Sequence, residues 1–176
     1  MKITETKCIS ILTRTSGYLQ GVCSHSLNPY IGCGYGNSSC GEGCYVRFNP
    51  WLNRGREWGR FVDVKVNADE VYLNTAQVER HWAIQRGMPF SIFFSSSTDP
   101  WQPIERKFRV TRRVLDAMLE DAPDELILQT HSSVIADDME RIIALSRRCE
   151  LRVHLSVEGD QDSLPGPSYL QSLVRF

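Results

Sequence analysis

The chain has 176 residues, a formal net charge of -1, and 41% hydrophobic and 23% charged residues, a composition that fits one globular domain of about 100–200 residues. Near-neutral charge excludes the global basicity of a dedicated nucleic-acid binder and names no partner. No stretch approaches the ~20 apolar residues of a membrane span and the N-terminus lacks the apolar segment of a signal peptide; the expected compartment is the cytoplasm, without membrane association, where the six cysteines stay reduced.

In chain order, a short strand is expected ahead of a glycine-rich loop, "NPYIGCGYGNSSCGEGCYVR" (28–47), that carries Cys33, Cys40 and Cys44. "FVDVKVN" (61–67) alternates like a strand and is followed by a helical pattern with Val71, Val78 and Trp82 on one face, up to Gly87 and Pro89. "FSIFF" (90–94) is the next strand. Its helix starts at about Glu105, places Val110, Val114, Leu115, Met118 and Leu119 at helical spacing, and ends before Pro123. "ELILQT" (125–130) is the next strand, Asp137 with Glu140 reads as a capping box opening a helix through Ile142, Ile143 and Leu145, and "LRVHLSV" (151–157) closes the series. "EGDQDSLPGP" (158–167) is turn-rich and linker-like.

Strands alternating with helices indicate an α/β class, and right-handed crossovers would curl about five parallel strands into a partial (βα) barrel formed by one domain, residues 1–176. A full eight-unit barrel needs ~250 residues. Ligand-facing groups in such folds collect at the carboxyl ends of strands. Those ends carry the cysteine loop, Lys65 and Asn67, "SSSTDPWQP" (95–103), Thr130 and His131, and Ser156 and Glu158, all expected on one rim.

A cysteine trio in a reducing compartment reads as a metal centre rather than a disulfide framework. Glycines at 32, 34, 36, 41 and 43 let the backbone wrap closely around an inorganic cluster. A structural zinc needs four ligands, which Cys23, His25 or Cys149 would have to complete.

"LNPYIGC" followed by "CYVR", then "VKVNA", "TDPWQPIERKFRVTRRVL" and "SVEGD", resembles the radical S-adenosylmethionine (SAM) proteins related to spore photoproduct lyase, a DNA repair enzyme, over about Ile9 to Pro167. The resemblance implies that Cys33, Cys40 and Cys44 bind three irons of a [4Fe-4S] cluster and leave the fourth iron open to the amino and carboxylate groups of SAM. It implies that Thr98 and Asp99 contact the methionine part of SAM, that Ser156 is a later SAM contact, and that His131, where lysine is more usual, faces the SAM carboxylate. The cluster would pass one electron to the sulfonium, and a 5'-deoxyadenosyl radical would abstract hydrogen from the substrate. A one-electron donor such as flavodoxin or ferredoxin is the implied partner, and DNA the implied substrate.

Tyr45 directly follows the third cysteine, as in lyase-like proteins. The cysteine gaps are six and three residues, against three and two in the commonest superfamily motif, and Ser95, Ser96 and Ser97 stand where the lyase carries a hydrogen-donor cysteine. Relatives continue into a sixth βα unit, so a family member cut short at its C-terminal side is expected. The alternatives are a non-catalytic metal- or cluster-binding module and a nucleic-acid binder without chemistry. The latter would use the basic run 105–113, or Trp51, Trp58 and Trp101 with Arg54, Arg56 and Arg60; the plainer expectation is a solvated helix face and core aromatics.

Overall fold

A computed structural model describes residues 1–36 and 43–156. In chain order the strands are β1 (Lys2–Thr6), β2 (Leu12–Arg14), β3 (His25–Leu27), β4 (Tyr30–Ile31), β5 (Phe61–Lys65), β6 (Ser91–Phe94), β7 (Glu125–Thr130) and β8 (Glu150–Leu155). The α-helices are α1 (Pro50–Asn53), α2 (Ala68–Ile84), α3 (Glu105–Phe108), α4 (Val110–Glu120) and α5 (Met139–Ser146). Two mixed sheets result. The larger has the order β2-β3-β6-β7-β8, with β2 antiparallel to β3 and the remaining pairs parallel. The smaller has the order β1-β5-β4, with β1 parallel and β4 antiparallel to β5.

The α/β class is as expected, but the single curled sheet of five parallel strands is not what forms. Four of the expected strands, β3, β6, β7 and β8, do run parallel and adjacent. The strand read from 61–67 leaves that series. It pairs with "KITET" at the N-terminus, in register from Lys2 opposite Phe61 to Thr6 opposite Lys65. This pairing supplies the ladder bonds that β5 would otherwise have taken from the large sheet. No closed barrel is present among the described residues.

The main core lies on the face of the large sheet that carries Ile92, Phe94, Leu126 and Leu128, and a smaller cluster of Cys23, Phe93 and Ile127 lies on the other. Every side chain of β6, "SIFF", is buried, as a central strand of a parallel sheet requires. Val110, Val114, Leu115 and Met118 form the apolar stripe of α4 and join Ile92, Phe94, Leu126 and Leu128 in one cluster.

Two helix expectations are corrected by buried polar groups. The helix read from Glu105 is broken at Arg109, whose φ of 51° is left-handed. The buried Glu105 carboxylate folds back over the break and accepts the amides of Thr111 and Arg112, both at 3.1 Å, so it caps α4. The Tyr30 hydroxyl also donates to it. The capping box at Asp137 and Glu140 does not form. Ser132 instead accepts from the Val134 amide at 3.2 Å and opens a 3-10 turn, Ser133–Asp138. Asp138 turns inward to accept from Trp101 Nε1 at 2.9 Å and from Arg112 Nε at 2.7 Å.

The carboxyl ends of β6 and β7 are tied together by Asp99. One carboxylate oxygen accepts the Trp101 amide at 2.8 Å, the other accepts the His131 amide at 2.7 Å, and the Thr130 hydroxyl lies 2.8 and 3.0 Å from the two. Thr130 in turn accepts the Ser132 amide at 2.9 Å. The loop "TDPWQP" is therefore held from within: Asp99 to β7, Trp101 to Asp138, and the Pro100 carbonyl to the Thr111 hydroxyl at 2.6 Å.

Asp99→Asn keeps one acceptor oxygen where the loop uses two, and is expected to lower unfolding stability by about 3 kcal/mol in urea titration. Burial raises the folded-state pKa of Glu105 above its ordinary value of 4.5, against the hydrogen bonds from Tyr30, Arg112 and Thr111 that lower it. Its proton is bound more tightly in the native chain, so the group's stabilising contribution is complete below 4.5 and is lost as pH rises through the folded-state value. The stability difference between wild type and Glu105→Gln, followed from pH 4 upward, is expected to shift against the wild type as pH rises.

Candidate functional site

Five of the seven predicted site residues meet in one cavity at the carboxyl ends of β6 and β7: Cys33, Cys44, Thr98, Asp99 and His131. Cys40 lies outside the described residues. Ser156 does not line the cavity; it follows β8 with its amide donating to the Thr130 carbonyl at 2.9 Å. Glu158 lies outside the described residues, and Lys65 and Asn67 also separate from the cavity. Lys65 Nζ donates to the Asn28 carbonyl at 2.7 Å, and Asn67 exchanges two hydrogen bonds with the Cys8 backbone at 2.9 and 3.0 Å. Both sit at the end of β5, in the other sheet.

The cysteine loop is positioned by close packing. Gly32 has a φ of +85°, and a Cβ there would stand 2.3 Å from the Phe61 carbonyl oxygen, so only glycine fits. Cys33 then packs into a small second core with Val46, Trp58 and Phe61, on which Cys44 rests. Burial pushes the Cys33 thiol up to about 12, with the Asp99 charge a smaller contribution in the same direction. At neutral pH this is a protonated thiol that a bound cation would have to deprotonate.

The opposite wall is "SSST", residues 95–98. Ser95 is held at φ 71°, a left-handed conformation that a non-glycine residue adopts at a cost. Asn28 grips the next two residues: its Oδ1 accepts the Ser97 amide at 3.0 Å and hydroxyl at 2.9 Å, and its Nδ2 donates to Ser96 Oγ at 3.3 Å. The Tyr45 hydroxyl donates to the Ser96 carbonyl, joining this wall to the residue after Cys44. Ser95 Oγ and Thr98 Oγ1 are buried in this wall without a hydrogen-bond partner. Two such hydroxyls in one cavity wall are groups that an ordered water or a polar ligand would satisfy.

Asp99 is a different case. Its carboxylate is occupied by donors from its own loop and from the end of β7, and burial raises its pKa against the His131, Thr130 and Trp101 hydrogen bonds. It acts on the cavity by setting the backbone between Thr98 and His131.

The candidate fourth zinc ligands are elsewhere. His25 is buried between Ser24 Oγ and Glu79 Oε2, at 2.9 Å from each. Cys23 lines a separate cavity, and Cys149 Sγ donates to the Leu145 carbonyl at 3.3 Å. Among the described residues no group of three or more His, Cys, Asp or Glu side chains is placed to hold a metal ion. Trp58 and Trp101 are buried, which removes them as stacking surfaces; Phe48 and Trp51 remain 78% and 85% exposed. Arg56 pairs with Asp63, Arg60 with Glu57, Arg112 with Asp138 and Arg113 with Asp69, so the basic run 105–113 is in part a set of structural clamps. Among the described residues no helix is long and apolar enough to cross a membrane.

The residues not foreseen are Asn28, Gln102 and Gln129. Gln129 lines the cavity, and Asn28 and Gln102 hold its walls by side-chain bonds across 68 or more residues of sequence. The one available signal was a neutral amide inside each conspicuous motif, "NPYIGC" and "DPWQP".

No family model matches the chain, and no solved structure matches it. The chain is similar to "Uncharacterized protein MJ0683" of Methanocaldococcus jannaschii, with 34% identity over 115 residues, covering 65% of this chain and 38% of that protein. The matched part thus spans well under half of the archaeal relative's length.

Proposed function

We propose that this chain is a radical SAM iron–sulfur protein whose cluster and SAM share the cavity between the cysteine loop and the ends of β6 and β7. The observation that carries the reading is the meeting of Cys33 and Cys44 with the unpartnered hydroxyls of Ser95 and Thr98 in one cavity. The donor set fits: sulfur ligands suit an iron–sulfur cluster, and neutral hydroxyls suit the polar groups of a sulfonium amino acid. Cys33 and Cys44, with Cys40, would hold the [4Fe-4S] cluster. When bound, cluster and SAM supply one-electron reductive cleavage of the sulfonium, chemistry that side chains lack.

The chain's own contribution is placement and exclusion of water. Ser95 and Thr98 present their hydroxyls to SAM, and His131 lines the same cavity beside them. Asp99, in this reading, acts through Thr98 and His131 rather than by touching the SAM ammonium, because its oxygens are already bonded. Val46 and Trp58 close the floor beneath the thiols and exclude solvent. Ser156 lies off this cavity, and its proposed SAM contact has no support from the cavity lining. A flavodoxin- or ferredoxin-like donor supplies the electron. A DNA substrate draws support from exposed Phe48 and Trp51 near Arg54, a combination able to stack on bases and meet phosphates.

Anaerobic reconstitution is expected to give about four irons and four sulfides per chain. Cys33→Ala, Cys40→Ala and Cys44→Ala should each lose the cluster, and reduction with SAM should release 5'-deoxyadenosine in the wild type only. Tight zinc binding without iron uptake or deoxyadenosine would overturn the reading in favour of a structural metal module. Ser95→Ala with Thr98→Ala is expected to retain the cluster while weakening SAM binding about tenfold or more, as two lost hydrogen bonds require, measured by titration of the loaded protein.

A further inference from the structure

The geometry assigns to Gln102 the task of positioning Cys33, an inference that rests on the reading of Cys33 as a cluster ligand. Gln102 is completely buried. Its Oε1 accepts the Gly34 amide at 2.7 Å, and its Nε2 makes a longer approach, 3.5 Å, to the Gly32 carbonyl. The two groups it meets flank Cys33 on either side in sequence. Gly32 is already pressed against Phe61 in a conformation open only to glycine, and the Gly36 amide donates back to the Cys33 carbonyl at 3.3 Å. With Gly34 fixed as well, the Cys33 backbone is held on both sides, and the direction of its Cα–Cβ bond, from which the sulfur projects, is held with it.

Gln102 can do this because its own backbone is anchored. Trp101 before it is buried and bonded to Asp138, and the next turn is held by Glu105. A neutral amide suits the place: it supplies an acceptor and a donor to the loop without adding charge beside a cluster-binding thiolate. The consequence is a mechanical link between the strand-end loop carrying Thr98 and the loop carrying the first cysteine. SAM-facing and cluster-facing walls are thereby set at a constant separation.

The test has an arm that needs no iron. In the wild-type apo chain the Gly34 amide is expected to be protected from hydrogen exchange, and rapid exchange there overturns the assignment without any variant. Gln102→Met, and Gln102→Leu as a second variant, keep the bulk and lose the bonds. Alkylation of Cys33 by iodoacetamide, mapped by mass spectrometry with Cys149 as internal reference, should accelerate about tenfold in either, the scale typical of lost outer-shell support. After anaerobic reconstitution, iron loss to a chelator should quicken about tenfold, and Gln102→Glu, which keeps the acceptor for Gly34 but loses the donor to Gly32 and adds charge beside the thiolate, should restore the wild-type rate only in part. Unchanged Cys33 alkylation and unchanged iron loss in a folded Gln102→Met chain overturn the assignment. A wild type that takes up no iron overturns the cluster reading instead, and the alkylation arm still decides whether Gln102 holds Cys33.

Discussion

A single buried carboxylate, that of Asp99, organises the functional end of the molecule. Taking this group out of water is costly, and the cost is offset only because the Trp101 and His131 amides and the Thr130 hydroxyl all reach it. Those donors come from two different strand ends. The carboxylate therefore cannot be satisfied unless β6 and β7 terminate at matched heights, and the cavity wall follows from that match. Thr98 and His131 are where they are because they neighbour groups that Asp99 engages.

The same logic runs through the segment from Asp99 to Arg113. Trp101, Gln102, Glu105, Arg112 and Arg113 each send a polar group to a distant element, and Thr111 ties back to Pro100 within the segment, so it behaves as one stitched unit rather than a loop and a helix. Networks of this kind are stabilising only when complete. Among the buried side-chain atoms left without a hydrogen-bond partner, Ser95 Oγ, Thr98 Oγ1 and Trp58 Nε1 belong to residues that line the cavity, while Asn53 Oδ1 and Asp69 Oδ1 lie away from it.

Much of this was legible in the chain. The bounds of β7 match the run "ELILQT" because a buried parallel strand is a continuous β-rich run, and α4 shows its apolar stripe at helical spacing. The cysteine loop and "SSSTDPWQP" could be placed at one site because strand ends of parallel units face the same way. What misled was the assumption that successive strands share a sheet. Periodicity reports which residues are buried, not which neighbour completes the ladder, and β1 competed for β5 from 58 or more residues away. Helix ends misled for a related reason. Asp137 and Glu140 have the spacing of a cap, but Asp138 beside them meets a buried indole and a guanidinium, a stronger demand than a surface cap.

From sequence alone came the α/β class, the thiol-rich loop and the polar strand ends, because each depends on residue type and short-range spacing. The tertiary structure decided the division into two sheets, the removal of Lys65, Asn67 and Ser156 from the cavity, the burial of Trp58 and Trp101, and the roles of Asn28 and Gln102. Those depend on which distant groups meet, and the meeting is governed by the need to pair every buried donor and acceptor across the whole fold, a condition that no local stretch of sequence carries.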